Sequence, residues 1–112
     1  MKKIVCLVFA VAFITACKSK KSATTSTDSG PTEAQLTAVK SKYPNATMEI
    51  LKQGHTLYYG TCTNCHSAKN ITSRDEEKWP GIIDRMAPKA GISDAEKEAV
   101  LNYVMAVKLA AK

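Results

Sequence analysis

The sequence is short of the residues that usually build a small, self-sufficient core. Its 112 residues include two phenylalanines, one tryptophan and four tyrosines, so that only 6% of the chain is aromatic. A domain of about 80 residues buries little apolar surface and usually needs a disulfide, a metal or another added group to be stable. The low aromatic content therefore favours a core that is completed by a non-protein group.

Extended patterns are missing as well. No stretch alternates apolar and polar residues over the length of a strand, and no segment repeats. The absence of a strand pattern predicts an all-α protein. The longest apolar run, residues 4–16, would form a helix of about 20 Å, whereas the hydrocarbon core of a bilayer is about 30 Å thick. This run is therefore too short to be a membrane-spanning helix.

The domain also lacks a strong charge of one sign. The whole chain has a formal net charge of +6, but five of its lysines lie before residue 22. Residues 32–112 hold eleven basic and nine acidic side chains, without a basic stripe interleaved with aromatic residues. Binding to phosphate backbones needs such a stripe, so the sequence predicts no nucleic-acid partner.

The N-terminus has the pattern of an export signal. Residues 1–16 begin with two lysines and continue as an apolar run, which predicts a signal peptide. The run ends Ile14-Thr15-Ala16-Cys17, which resembles the lipobox of bacterial lipoproteins. That resemblance implies cleavage before Cys17 and lipidation of its thiol, and so a membrane anchor. The alternative is an ordinary signal peptide with an incidental cysteine.

Residues 17–31 are expected to form the lipidated cysteine and a disordered tether. They are rich in Ser, Thr and Lys and show no apolar periodicity. Lys18, Lys20 and Lys21 are candidates for contact with anionic headgroups, although a solvated spacer is the simpler interpretation. Lys18, rather than Asp, follows Cys17, and by resemblance to lipoprotein sorting this favours the outer membrane if the cell has two membranes.

Residues 32–112 are predicted to form one domain of about four helices. Apolar residues at helical spacing indicate helices over residues 32–42, 47–61 and from Ser93 onward. A segment from Ser73 to Met86 is interrupted at Pro80-Gly81. Capping boxes are predicted at Ser73–Glu76 and Ser93–Glu96. Gly54, costly inside a helix, suggests the close approach of another helix.

The strongest chemical signal is Cys62-Thr63-Asn64-Cys65-His66, which matches the C-x-x-C-H motif of covalent c-type haem attachment. Residues three and four apart share one face of a helical turn. Cys62 and Cys65 can therefore both reach one edge of a porphyrin, while His66 reaches the iron. We expect one haem c per chain.

Other uses of the cysteine pair fit less well. A structural zinc site needs a second pair of ligands, and His55 is the only histidine besides His66. Cys17 is expected to be acylated. A thioredoxin-like dithiol expects a strand–helix setting, which the sequence does not predict.

Beyond the motif, the chain resembles class I cytochromes c over roughly residues 50–108. Gly54 and Tyr58 precede the haem box as a glycine and an aromatic do in that family, and Tyr103 lies in the middle of the last helix. The run from Trp79 to Met86 matches the W-x-x-x-x-x-x-M run of several small bacterial members. The resemblance implies a cytochrome c-like fold and Met86, in a loop before the last helix, as the second axial ligand.

Alternatives to Met86 remain open at this stage. Met48 and Met105 are rival thioethers, and His55, which is expected at the surface, is a further candidate ligand; an open sixth position is also possible. Trp79, Ile82 and Ile83 are expected to line the haem pocket. By analogy with related cytochromes, the Trp79 indole N–H is a candidate donor to a haem propionate.

The expected function is one-electron transfer rather than catalysis. A His/Met haem exchanges electrons with redox partner proteins such as a respiratory complex, an oxidase or a reductase, here at the extracytoplasmic face of the membrane. Four lysines are candidates for docking around the exposed haem edge: Lys52, Lys69, Lys78 and Lys89. The alternative is a five-coordinate haem enzyme or a gas or redox sensor.

Overall fold

The computed structural model describes residues 29–112, and the expected signal peptide and Cys17 lie outside these residues. The described part is all-α, as predicted, and contains no strand. Three short 3-10 turns, Thr61–Asn64, Ile71–Ser73 and Glu76–Lys78, separate α2 from α3. The four helices are α1 (Glu33–Lys40), α2 (Met48–Tyr59), α3 (Trp79–Ala90) and α4 (Asp94–Ala110).

Helix α4 is the centre of the domain, because α1, α2 and α3 all pack against it. Its middle is buried on every side, and Val104 and Ala106 have no exposed surface. Met105 lies on this helix, is 3% exposed and packs in the hydrophobic core of the domain. The predicted capping box at its start is confirmed: Ser93 accepts from the Glu96 backbone N–H, and the Glu96 carboxylate accepts from the Ser93 backbone N–H.

The crossing of α2 over α4 explains the glycine in α2. A Cβ atom on Gly54 would lie 2.0 Å from the backbone oxygen of Ala99 and 2.7 Å from Cβ of Tyr103. Both neighbouring atoms are fixed by helix α4, so neither can move away. Gly54 is thus required for close contact between the two helices, which confirms the interpretation from sequence.

Helix α3 differs from the prediction at both ends. Pro80 lies in its first turn, where a proline is tolerated, so α3 starts at Trp79 rather than being interrupted there. The helix then continues past Met86 to Ala90 and includes Pro88. Gly91, with a φ of 68°, ends it: the Ile92 N–H donates to the Ala87 carbonyl in a Schellman arrangement. Met86 is therefore in a helix, and the expectation that it lies in a loop is wrong.

The predicted capping box at Ser73 is also wrong. The Ser73 hydroxyl donates to the carbonyl of Asn70, 2.8 Å away. Glu76 instead is buried, at 7% exposure, and its carboxylate accepts hydrogen bonds from the ammonium groups of Lys42 and Lys112. Because a buried carboxylate is costly without partners, this pairing with two cations takes precedence over a local cap.

We predict that Gly54→Ala lowers the free energy of unfolding by roughly 3 kcal/mol, because the added methyl group forces α2 away from α4. Urea denaturation of the purified domain measures the change. Gly81→Ala is the matched control: this glycine is exposed on α3, and an added Cβ would meet only the Arg85 side chain, at 3.7 Å. It should stabilise the domain by about 0.5–1 kcal/mol. Equal effects of the two substitutions would contradict the close-contact role of Gly54.

We predict a specific acid sensitivity at Glu76. Hydrogen bonds from Lys112 and Lys42 lower the pKa of its carboxyl from 4.5 to about 2. The folded chain therefore binds this proton more weakly than the unfolded chain. The pairing stabilises the fold fully above pH 4.5, and this contribution is lost as the pH falls from 4.5 towards 2.

Denaturant midpoints measured from neutral pH to acid should show this loss in the wild type, and Glu76→Gln should be less stable at neutral pH with a flatter decline in acid. Glu77→Gln is the control, because Glu77 is exposed beside it. If Glu76→Gln and the wild type lose stability in parallel over this pH range, the pairing does not stabilise the fold.

Candidate functional site

A cavity of about 340 Å³ lies between the C-x-x-C-H motif, residues 62–66, and helix α3. It is lined almost entirely by apolar atoms. Walls come from α2, from the segment that holds the cysteines, from α3 and from the start of α4. The lining side chains belong to Tyr58, Thr61, Cys62, Cys65, His66, Ala68, Lys69, Trp79, Ile82, Ile83, Met86, Ala87, Lys89, Ala90, Ile92 and Val100.

Cys62 lies in the 3-10 turn Thr61–Asn64, and Cys65 follows that turn directly with helical backbone angles. Gly60 caps the end of α2, and a Cβ atom there would lie 2.6 Å from the Thr56 carbonyl oxygen, so this position requires glycine. In a 3-10 turn, residues three apart lie one above the other. Cys62 and Cys65 therefore share one side, and both line the cavity as free thiols. Burial raises the pKa of the Cys62 thiol, whereas Cys65 is exposed.

His66 follows Cys65 directly, and its imidazole contacts the backbone of the next residue. Its Nδ1 lies 2.9 Å from the carbonyl oxygen of Ser67. A carbonyl only accepts hydrogen bonds, so Nδ1 carries the proton and donates it. In the neutral imidazole with this hydrogen bond, Nε2 keeps its lone pair, which is the form that binds a metal.

Side chains from three helices hold the segment after His66. The Tyr58 hydroxyl, on α2, donates to the Lys69 carbonyl at 2.6 Å. The Trp79 indole N–H, on α3, donates to the Ile71 carbonyl at 3.2 Å. The Lys108 ammonium, on α4, donates to the Thr72 carbonyl at 3.1 Å. Because the indole N–H is committed to Ile71, the structure does not support the expected bond from Trp79 to a propionate.

Helix α3 supplies the apolar wall through a single stripe. Trp79, Ile83 and Ala87 are buried, at 2%, 5% and 4% exposure. Ile82 and Met86 are half-buried and complete the stripe. Trp79, Ile82 and Ile83, which the sequence predicts to line the pocket, all line the cavity. Ala87 was missed because the helix was expected to end at Met86, although its spacing from Ile83 continues the pattern.

The rival ligands lie elsewhere in the described part of the chain. Met48 is the first residue of α2, Met105 is buried in α4, and neither lines the cavity. His55 is not at the surface as expected: it is half-buried, with its ring 5.1 Å from that of Tyr59 and 5.2 Å from that of Tyr103. No group of three or more His, Cys, Asp or Glu side chains within residues 29–112 is arranged to hold a metal ion.

The four candidate docking lysines separate into two groups. Lys69 and Lys89 line the cavity. Lys52 is exposed on α2 away from it, and Lys78 forms an ion pair with Asp75 at 2.7 Å. Only the first pair is therefore adjacent to the site.

These residues fit a haem c. The group needs two thiols on one side for its thioether bonds, one imidazole with a free Nε2, and apolar surroundings for its ring. The cavity has all of them in the order that the C-x-x-C-H spacing predicts.

Within residues 29–112, no helix is long and apolar enough to span a membrane.

Comparison with known proteins gives one distant relationship. No family model matches the chain, and no solved structure matches it. The chain is similar to cytochrome c-type protein TorC of Escherichia coli O157:H7 and of E. coli K12, with 28% identity over 82 residues in each case. The match covers 73% of this chain but only 21% of either relative. Over most of its length, the chain is distantly similar to a c-type cytochrome.

Proposed function

We propose that the protein is a monohaem c-type cytochrome that carries single electrons at the extracytoplasmic, periplasmic side of a bacterial membrane. The observation that carries this proposal is the apolar cavity lined by both thiols and the imidazole of the C-x-x-C-H motif together with Met86. Its similarity to a cytochrome c-type protein supports the same class of function. In this proposal, the chain transfers electrons and is not an enzyme.

Cys62 and Cys65 would hold the haem through thioether bonds, and His66 through Nε2. When bound, the haem supplies a one-electron ferric–ferrous couple. The chain's own contribution is to fix the ligands, since Cys62 lies in a turn packed on the core and His66 is oriented by its bond to Ser67. The apolar lining excludes water from the ring and favours the less charged, reduced state.

Met86 is proposed as the second axial ligand. Of the methionines in residues 29–112, it is the one that lines the cavity. A thioether is a soft, neutral ligand that favours ferrous iron. It would also close the iron to oxygen and peroxide, which distinguishes a carrier from a five-coordinate enzyme or sensor. His55, the other histidine of the chain, is packed between tyrosine rings and is not available as a distal acid–base group.

Lys69 and Lys89 are the proposed contacts for redox partners. Both are exposed and both line the cavity. Two cations beside the proposed haem edge would attract an acidic docking surface and orient it for brief contact. A respiratory complex, an oxidase or a reductase are the partner types that fit this role.

The membrane location is proposed from the N-terminal sequence. Cleavage before Cys17 and acylation of its thiol would anchor the domain, and two or more acyl chains anchor stably where one does not. Residues 18–31 would then act as a tether that keeps the domain near membrane-bound partners and raises its local concentration. In a cell with two membranes, Lys18 favours the outer one.

We predict that the ferric protein shows the weak red charge-transfer band of methionine-ligated haem, and that Met86→Ala abolishes it. Absorption spectroscopy of the purified holoprotein measures this band. Met105→Leu is the control and should keep it, because Met105 is buried in α4 away from the cavity. A Met86→Ala protein that retains the band would refute the ligand assignment. High-spin bands and rapid carbon monoxide binding in the untreated wild type would favour the enzyme or sensor.

We predict that Cys17→Ser releases the protein from the membrane fraction and prevents incorporation of labelled palmitate. The reason is that the serine hydroxyl does not accept the diacylglyceryl group that anchors a lipoprotein. Cys6→Ser is the matched control, since Cys6 lies within the expected signal peptide and its replacement should leave labelling unchanged. Continued lipid labelling of Cys17→Ser would show that the anchor is elsewhere.

A further inference from the structure

We propose that Tyr58 is a positioning residue that sets the orientation of the His66 imidazole by fixing the backbone of residues 67–71, here called the proximal loop. Trp79 acts with it as a second anchor. This inference rests on the proposed function in so far as it requires a haem on Cys62, Cys65 and His66. It does not depend on Met86.

The proximal loop needs external support because it has no helix or strand of its own over residues 67–70. Ser67, Lys69 and Asn70 are exposed, and Ile71 is the loop residue that is buried, at 4% exposure. The side-chain bonds that Asn70 makes are local, to Thr72. Contacts from distant parts of the chain therefore decide where this loop lies relative to the core.

Two such contacts come from aromatic residues that also line the cavity. Tyr58 is buried, and its hydroxyl is 2.6 Å from the Lys69 carbonyl oxygen, a short bond between residues eleven apart. Trp79 is 2% exposed, and its indole N–H reaches the Ile71 carbonyl. Burial raises the pKa of Tyr58 to about 12, so its hydroxyl remains a donor across the physiological range. The rings of both residues line the cavity, while the Tyr58 hydroxyl and the Trp79 indole N–H bond to the loop.

The loop carries the acceptor that orients His66. Nδ1–H of the imidazole donates to Ser67, the first residue of the loop, and Tyr58 anchors the loop two residues further on. A hydrogen bond from Nδ1–H to a fixed carbonyl sets the rotation of a ligating imidazole and increases its basicity. A loosened loop weakens this bond, makes the imidazole a poorer donor to iron and so stabilises the ferric state less.

The test compares holoproteins with Tyr58→Phe and Tyr43→Phe. The first keeps the ring and removes the hydroxyl that holds the loop; the second removes a hydroxyl from a half-buried tyrosine in the turn between α1 and α2. For Tyr58→Phe we expect amide hydrogen exchange in residues 67–71 to accelerate roughly five- to tenfold. We also expect a changed pattern of haem-methyl paramagnetic shifts, which reports the orientation of the axial imidazole, and a higher midpoint potential. Tyr43→Phe should match the wild type in all three.

A third variant separates loop anchoring from general loosening. Lys108→Met removes the donor to Thr72, which follows the last residue of the loop, and should leave the haem-methyl pattern unchanged. If Tyr58→Phe accelerates exchange but leaves the methyl pattern and the potential as in the wild type, the hydroxyl is only structural and the inference is wrong. Equal shifts in Tyr58→Phe and Tyr43→Phe would also overturn it. A wild-type chain without covalent haem overturns the proposed function and this inference together, whereas a wild type without methionine ligation affects only Met86.

Discussion

The close contact between α2 and α4 at Gly54 is the constraint on which the site depends. Helix α2 ends five residues later at Tyr59, and the turn that holds Cys62 and leads to Cys65 begins at Thr61. The direction in which α2 leaves α4 therefore determines where the thiols and His66 lie. Tyr58 is one helical turn after Gly54 and lies on the same side of α2. Its ring is therefore buried near Tyr103, and its hydroxyl reaches the proximal loop. A larger residue at position 54 would displace all of these groups together.

Helix α3 packs mainly on α4, and it meets α2 through the rings of Trp79 and Tyr58, whose centroids are 6.2 Å apart. Lys97 on α4 pairs with Asp84 on α3 at 3.1 Å, two residues before Met86. At the other end, Trp79 is buried and bonded to Ile71. Gly91 then ends α3 and turns the chain into α4 after two residues. The position of Met86 along the cavity is thus fixed by contacts before and after it rather than by the conformation of a loop.

The sequence predicted those features that depend on local or strongly periodic signals. The cap at Ser93 and the apolar face of α4 follow from interactions between residues close in the chain. Gly54 destabilises its helix, and only close packing against another helix explains a glycine there. The continuation of α3 through Pro88 could not be predicted, because proline disfavours a helix locally. The reasons for it, the end of the helix at Gly91 and the packing of Ala87, are visible only in the structure. The pairing of Glu76 could not be predicted either, because its partners Lys42 and Lys112 are 34 and 36 residues away in the chain.

The polar atoms around the cavity follow one arrangement that local sequence does not show. The hydroxyl of Tyr58 and the indole N–H of Trp79 both bond backbone carbonyls of the segment after His66, and the His66 Nδ1–H bonds the first carbonyl of that segment. All three donors are thus satisfied by the protein backbone, which leaves a largely apolar surface towards the cavity. The segment that accepts the His66 hydrogen bond therefore also makes the pocket apolar, because its carbonyls take up donors that would otherwise face the cavity.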